Sequence, residues 1–339
     1  MHDLLLNISH LSAIIPTDDG PVRAVRDVSF RIRRGKTLGV VGESGCGKSM
    51  MGLSLMRLVP KPGYIEGEIV YHDGEDGTTV DIHALDSSGD AMRRIRGRKI
   101  SMIFQEPMTA LNPVYTVGNQ IGEALRLHHA LDRQAARSRA VHALGEVGIP
   151  GPSQRVDEYP HELSGGMRQR AMIAMALSCG PELLIADEPT TALDVTIQAQ
   201  ILDLLKELKS NLNMAIVMIT HDLGVIADMA DEILIMYAGQ VVESGSPERI
   251  FYQAAHPYTR GLLDSAPRIN REKASQLSTI PGTVPSPLDL PGGCAFAPRC
   301  RYATDQCSQI PPVDETEPGH HVRCWHTDRV AADQVTANH

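Results

Sequence analysis

Residues Gly42-Glu43-Ser44-Gly45-Cys46-Gly47-Lys48-Ser49 carry the first chemical signal in the chain. Glycines in a short loop allow backbone N–H groups to converge on phosphate oxygens at a helix N-terminus. Lys48 would place a point charge on the outer phosphates, and the Ser49 hydroxyl could reach Mg²⁺. An apolar run at 37–41 leads in and a helix-like run at 50–58 leads out, the strand–loop–helix context this pattern requires. The expected chemistry is binding of ATP with Mg²⁺, and its hydrolysis. A second piece lies downstream, where Leu183-Leu184-Ile185-Ala186 ends in Asp187 and Glu188. Asp187 would hold Mg²⁺ directly or through water, and Glu188 would orient or polarise the attacking water. Standing alone, these would be two solvated acids at a strand end.

The elements that must position these residues are short apolar runs at 37–41, 100–104, 183–186 and 215–219. They end in Gly42, Gln105, Asp187 and Thr220-His221. Their length and bulk suit buried parallel strands, and ligands in open α/β sheets bind at the carboxyl ends of such strands. Ile197, Ile201, Leu204, Leu205 and Leu208 fall at helical spacing, predicting an amphipathic helix over one sheet face. The stretch from about 107 to 165 lacks a strong strand run and reads as an inserted helical subdomain, with helices over 117–129 and 133–147. Segments 22–33, 67–72 and 240–243 are expected to form a small antiparallel sheet beside the core. Periodicity is lost after 257, where proline and glycine crowd 281–293. The predicted division is an ATPase domain at 1–256 and a small cysteine-rich module at 257–339.

Composition bounds the rest. With 339 residues, 42% hydrophobic and 22% charged, the chain has the makeup of a globular protein of about two domains. A formal net charge of −9 argues against nucleic acid as a partner. No apolar run approaches the roughly 18 residues of a membrane span, and the N-terminus lacks the features of a signal peptide. A cytosolic setting is expected, where cysteines are reduced or metal-bound. Cys46 and Cys179 stand apart, but Cys294, Cys300, Cys307 and Cys324 crowd the tail. Four thiolates could hold Zn²⁺ or an iron–sulfur cluster, and their spacing matches neither the usual zinc pairs nor common ferredoxin patterns. His320, His321 and His326 are substitute ligands or solvated tail histidines.

The segment Leu163-Ser164-Gly165-Gly166-Met167-Arg168-Gln169-Arg170 joins these pieces. The order is phosphate loop, Gln105, this segment, Asp187-Glu188, Ala192-Leu193-Asp194, then His221. In that order the chain closely resembles ABC-type ATPases over roughly residues 5–265. The resemblance implies an α/β P-loop NTPase fold of the ABC type, with an inserted helical subdomain and an antiparallel β-subdomain. It implies that Gln105 contacts Mg²⁺ or water and senses the transporter, and that His221 holds the γ-phosphate and steadies Glu188. Leu163, Ser164, Gly165, Gly166 and Gln169 would complete the ATP site of an opposing subunit, which Asp194 would also address. Taken singly, these are a strand-end Gln, a helix-capping Asp and a turn His. One position departs: where such ATPases place an aromatic residue on adenine, this chain offers Ile14 and Ile15.

Three further segments resemble the ATPase subunits of oligopeptide/dipeptide importers. They are Gln105-Glu106-Pro107-Met108-Thr109-Ala110-Leu111-Asn112-Pro113, His256-Pro257-Tyr258-Thr259, and Ile280-Pro281-Gly282 leading into Cys294-Ala295-Phe296-Ala297-Pro298-Arg299-Cys300. That branch, which also includes nickel and glutathione importers, implies a motor subunit peripheral to the cytoplasmic face of the cell membrane. Its implied partners are a second ATPase subunit (a heterodimer is expected), two membrane channel subunits and, through the channel, an extracytoplasmic solute-binding protein. It also implies a [4Fe–4S] cluster on the tail cysteines, with zinc the alternative. The rival from another class is a soluble ABC ATPase of DNA repair or translation, but this chain has neither a long coiled-coil insertion nor a second cassette. A regulator that only binds ATP is a third reading, against which Glu188 and His221 stand.

Overall fold

The computed structural model describes residues 3–74, 77–105, 110–191, 193–265 and 279–337. The strands are β1 (Leu4–Thr17), β2 (Gly20–Arg33), β3 (Thr37–Val41), β4 (Tyr64–His72), β5 (Thr79–Asp81), β6 (Ile100–Ile103), β7 (Leu183–Asp187), β8 (Ala215–Ile219), β9 (Glu232–Tyr237), β10 (Gln240–Gly245), β11 (Asp314–Glu317) and β12 (His320–Val322). The helices are α1 (Lys48–Leu55), α2 (Asp90–Ile95), α3 (Val117–His129), α4 (Arg133–Glu146), α5 (Pro152–Arg155), α6 (Gly165–Leu177), α7 (Val195–Leu212), α8 (Leu223–Met229), α9 (Pro247–Tyr252), α10 (Pro257–Ser265) and α11 (Thr327–Ala337).

The main sheet has the order β11-β12-β10-β9-β3-β8-β7-β6. Its β9-β3-β8-β7-β6 portion is parallel. Strands β3, β7 and β8 are buried along their whole length, as apolar runs covered on both faces must be. The smaller sheet is antiparallel, in the order β2-β1-β4-β5. In β2 the buried residues Val25, Val28, Phe30 and Ile32 alternate with outward ones toward its end, so one face packs on the core and the other is wet. Glu182, just ahead of β7, pins the two sheets together by accepting from Arg34, from Tyr71 Oη (2.8 Å) and from Lys99 Nζ (3.0 Å).

The helical insertion takes its predicted form. Helix α3 is capped by Thr116, which accepts from Asn119 N, and α4 by Asp132, which accepts from Ala135 N. Their inward faces (Ile121 and Leu125, then Ala136, Ala140 and Leu144) join the same core as β7 and β8. The expected boundary at 107 lies outside the described residues.

Two expectations are corrected. Segment 240–243 joins the main sheet rather than the antiparallel one. The reason is local: Ala238 (φ 46°) and Gly239 (φ 81°) form a two-residue turn of left-handed conformations, which folds β10 back on β9. The tail, expected as a separate module, is part of the same body. Strand β12 pairs antiparallel with β10 through Glu243–Val322 and Ser244–His321. Phe296 packs at right angles to Tyr237, with ring centres 5.2 Å apart, and also against Tyr258.

A buried carboxylate fastens this junction. Glu243 is fully buried and accepts from Ala255 N (2.7 Å) and His256 N (3.1 Å), while His320 Nε2 lies 2.8 Å from its Oε1. His256, also buried, accepts from Tyr258 N through Nδ1 at 3.0 Å. Burial pushes its imidazole down to about 4, against the pull of Glu243. An unfolded chain therefore binds a proton here that the folded chain refuses, so stability falls as pH drops from the ordinary histidine range toward 4. Between pH 7 and pH 5, this site should cost about 2 kcal/mol of unfolding free energy. Denaturant titrations at the two pH values test this. His256→Asn, which keeps an acceptor near the Nδ1 position, should be less stable at pH 7 but should lose this contribution to the slope.

Candidate active site

The phosphate loop is shaped by close backbone packing. A Cβ on Gly42 would lie 2.2 Å from Met236 O, and one on Gly47 would lie 2.2 Å from Ala24 O. Gly47 also adopts φ 100°, which a side chain resists, and it caps α1. Helix α1 then presents its first amides to the loop, the arrangement that attracts an anion. Lys48 is only 6% exposed and folds back on Gly42 O (2.8 Å) and Glu43 O (3.1 Å), poised to exchange them for phosphate oxygens. Cys46 is buried and its thiol is pushed up by that burial, so it acts as packing rather than as a nucleophile.

The carboxyl ends of four neighbouring strands meet the loop. Ser49 Oγ donates to Asp187 Oδ1 at 3.1 Å. Burial raises the Asp187 carboxyl, and the neighbouring Glu188 adds to it. A hydroxyl beside a buried carboxylate is a hard oxygen donor pair that suits Mg²⁺. Glu188 turns off the end of β7 in a left-handed conformation (φ 48°), its N–H held by Ile219 O at 2.8 Å. Such strain costs on the order of 1 kcal/mol and persists where the surroundings enforce it. Here the turn aims the side chain at three partners. Thr191 Oγ1 donates to Oε2 at 2.7 Å, Gln105 Nε2 approaches the same oxygen at 3.4 Å, and His221 Nδ1 lies 3.2 Å from Oε1. Burial alone would raise the Glu188 carboxyl, but the bonds from Thr191 and His221 outweigh it and hold it below its usual range. It therefore stays ionised near neutral pH, able to accept a proton-side contact from water.

The predicted residues Gly42–Ser49, Gln105, Asp187, Glu188 and His221 thus form one cluster. The others do not join it within this chain. Ser164 caps α6 by accepting from Met167 N and is exposed with Gly165, on an element apart from the phosphate loop. Leu163 is buried in the core. Gln169, expected as part of the outward contact, is instead 3% exposed and donates to Pro189 O, because it faces inward from α6. It couples α6 to the turn after Glu188. Asp194 caps α7 by accepting from Ile197 N at 2.9 Å, next to Val195, which is 84% exposed. Ala192 lies outside the described residues. Ile14 is buried in β1, while Ile15 is half-buried and, being aliphatic, offers no aromatic face for stacking.

In the tail, burial raises the thiols of Cys294 and Cys300, and pushes Cys324 up to about 12, with the other three cysteines adding to that shift. The four sulfurs therefore lie within electrostatic reach of one another. Among the described residues, however, no group of three or more His, Cys, Asp or Glu side chains is placed to hold a metal ion. The expected metal centre, zinc or cluster, gains no support from this arrangement.

Sequence reading missed a clamp between loop and tail. Arg299, whose side chain is 4% exposed, donates to both oxygens of Glu43, at 2.7 and 3.1 Å, and Tyr258 Oη accepts from Glu43 N at 2.8 Å. Glu43 holds the Arg299 guanidinium firmly protonated. The partners are 256 residues apart, so no spacing rule links them. Thr191 was missed too; its place three residues beyond Glu188, in a tight turn, was the available signal.

A glycine loop after one parallel strand, with an acid pair and a histidine on its neighbours and a helical insertion between, defines an ABC-type P-loop ATPase. Family comparison agrees: residues 25–191 match the ABC transporter model, and residues 242–307 match the C-terminal region of oligopeptide/dipeptide transporters. The chain is 48% identical to the oligopeptide transport ATP-binding protein OppD of Haemophilus influenzae, over 95% of this chain and 97% of that one. It is 47% identical to the dipeptide transport ATP-binding protein DppD of Escherichia coli, over 94% and 96%. A dimeric structure of the ATP-binding cassette MJ0796, in a post-hydrolysis state with ADP and Pi, superposes with a TM-score of 0.62 at 27% identity, covering 72% of this chain and 99% of that one. The chain belongs to the family of ATP-binding subunits of oligopeptide/dipeptide ABC transporters.

The clamp makes a prediction. Arg299→Met should cost roughly 1–3 kcal/mol of stability, because it strands a half-buried carboxylate. Adding Glu43→Gln should restore part of that loss. Equal, additive losses in a double-mutant cycle of unfolding free energies would show that the pair is not coupled.

Proposed function

We propose that the chain is the ATP-hydrolysing motor of an importer for di- or oligopeptides. The carrying observation is the convergence of Lys48, Ser49, Asp187, Glu188, Gln105 and His221 at the ends of adjacent strands. Lys48 and the α1 N-terminus hold the β- and γ-phosphates of ATP. Ser49, Asp187 and Gln105 hold Mg²⁺, which when bound neutralises charge on the phosphates. Glu188, ionised and oriented by Thr191 and His221, accepts a hydrogen bond from the attacking water and aligns it in line with the γ-phosphate. His221 steadies that carboxylate and faces the same phosphate.

Half of the site comes from a second subunit. The exposed cap at Ser164 and Gly165 points a helix N-terminus outward, suited to a phosphate brought by another chain. Asp194 and the exposed Val195 support the same facing. Closure of two such subunits, here expected to be different chains, would draw the attached channel subunits together. Val114 (69% exposed) and Tyr115 (54% exposed) sit on the chain just beyond Gln105, and support docking of a short channel helix there. Among the described residues no helix is long and apolar enough to cross a membrane, and the reading assigns the channel to separate chains. A solute-binding protein would deliver the peptide to that channel. Peptide as the solute rests on the similarity to the oligopeptide and dipeptide relatives; nickel or glutathione is the alternative within the branch.

Glu188→Gln should bind ATP with wild-type affinity, lower turnover by at least about 100-fold and accumulate a closed dimer, measured by phosphate release and gel filtration with Mg²⁺ and ATP. Turnover at the wild-type rate would remove Glu188 from its role. For the tail, the reading is that its four cysteines hold a [4Fe–4S] cluster; it rests on their number and on the resemblance to the importer branch, not on the placement of their side chains. A cluster spans wider sulfur separations than the roughly 4 Å that tetrahedral zinc demands. Protein purified without oxygen should contain about four irons and four sulfides per chain and absorb near 400 nm. Zinc alone, or no metal, would refute the cluster.

A further inference from the structure

Where ATPases of this type place an aromatic residue on the base, this chain has two aliphatic ones, Ile14, which is buried, and Ile15, which is half-buried. We infer that the tail supplies the base site instead: the proline-rich segment around 284–290 forms one wall of a pocket that receives the purine base of the ATP held by the phosphate loop. This deepens the nucleotide reading given above and rests on it.

A cavity of about 260 Å³ opens beside Ser44 and Gly45. Its lining is mainly apolar. It is lined by Ala24 and the turn at Ala238 and Gly239, and from the tail by Val284, Pro285, Pro287 and Leu290. Gly45 of the phosphate loop lines this cavity, and apart from its chain neighbours no described atom lies within 4 Å of where its Cβ would sit. The space over that residue is thus open toward the cavity. A mainly apolar lining suits an aromatic ring, while Arg23 and Ser286 at the lining supply polar groups for its edge.

The tail wall is fixed to the loop it serves. Arg299 Nε donates to Pro281 O at 2.9 Å and Nη2 to Ile280 O at 3.3 Å, while the same guanidinium grips Glu43. Val284 and Leu290 also pack on the main core. Leu288 approaches within 4.0 Å of where a Cβ on Gly20 would lie, so the segment also reaches the β1–β2 turn. One residue therefore sets the distance between the phosphate loop and the base wall. The apolar character of the walls favours purines by shape and contact rather than by hydrogen-bond readout.

The test compares ATP with inorganic tripolyphosphate, which shares the phosphates and lacks the base, by calorimetry on the full chain with Mg²⁺. In the double variant Val284→Ala/Leu290→Ala, ATP should bind about tenfold more weakly and tripolyphosphate within twofold of wild type. Unchanged tripolyphosphate binding also shows that the variant is folded. Pro287→Trp should move ATP affinity the other way, again without moving tripolyphosphate. A change in neither ligand, or an equal loss of both, would overturn the base wall. Failure of wild type to bind either ligand would overturn the phosphate site itself, and with it this inference. An independent readout is photolabelling with 8-azido-ATP: label on 284–290 is expected, and label confined to β1 near Ile15 would refute the assignment.

Discussion

A loop that binds phosphate through its amides must offer those N–H groups to the ligand and still keep its shape. Hydrogen bonds within the loop, from Cys46 N to Glu43 O and from Lys48 Nζ to Gly42 O, supply part of that rigidity. Close contact supplies the rest. Gly42 and Gly47 press against carbonyls of β9 and β2, so close that no side chain fits. Glu43, the loop's second residue, is gripped by Arg299 and capped by Tyr258. The parallel sheet anchors one end of the loop, α1 the other, and the tail holds the middle. Loss of any one would widen the range of shapes available to the loop and raise the entropy lost on binding.

The same demand explains the join of the tail to the core. A segment rich in proline and glycine cannot bury much apolar surface alone. It gains order by pairing β12 with β10, by surrounding the buried Glu243 with donors, and by stacking Phe296 on Tyr237 and Tyr258. Tyr258 is shared between that aromatic packing and Glu43, so the tail and the nucleotide loop are parts of one mechanical unit. Any conformational change at the loop is felt at the tail through two short polar contacts and one aromatic cluster.

The site and its sheet were legible in the chain because each depends on local pattern. Apolar runs of about five residues, each ending in a reactive side chain, dictated parallel strands with a common edge, and Gln105, Asp187, Glu188 and His221 are gathered there. Helices α3 and α4 followed from periodicity and from caps at Thr116 and Asp132. What stayed hidden was nonlocal or depended on turn geometry. The Ala238-Gly239 turn, which carries β10 into the main sheet, lacks the usual Asn-Gly signature. The inward aim of Gln169 depends on how α6 packs, not on its place in the motif. The Arg299–Glu43 pair joins opposite ends of the chain, and neither residue type nor spacing announces it.

The chemistry assigned to Glu188 follows from its surroundings more than from its identity. Burial would weaken its charge, and a neutral acid there could not accept a hydrogen bond from water on both oxygens. Thr191 and His221 reverse that tendency by bonding the ionised form. The adjacent Asp187 goes the other way: burial and the charge of Glu188 raise it, and Ser49 only partly offsets this. Two consecutive carboxylates are thus driven apart in proton affinity by a strand end that buries one and a left-handed turn that exposes the other to donors. A bound Mg²⁺ would relieve Asp187 in particular, because a cation stabilises the anionic form of the group nearest to it. With Mg²⁺ bound, Asp187 would serve as ligand and Glu188, held ionised by Thr191 and His221, as acceptor, the division of labour that hydrolysis of a phosphoanhydride requires.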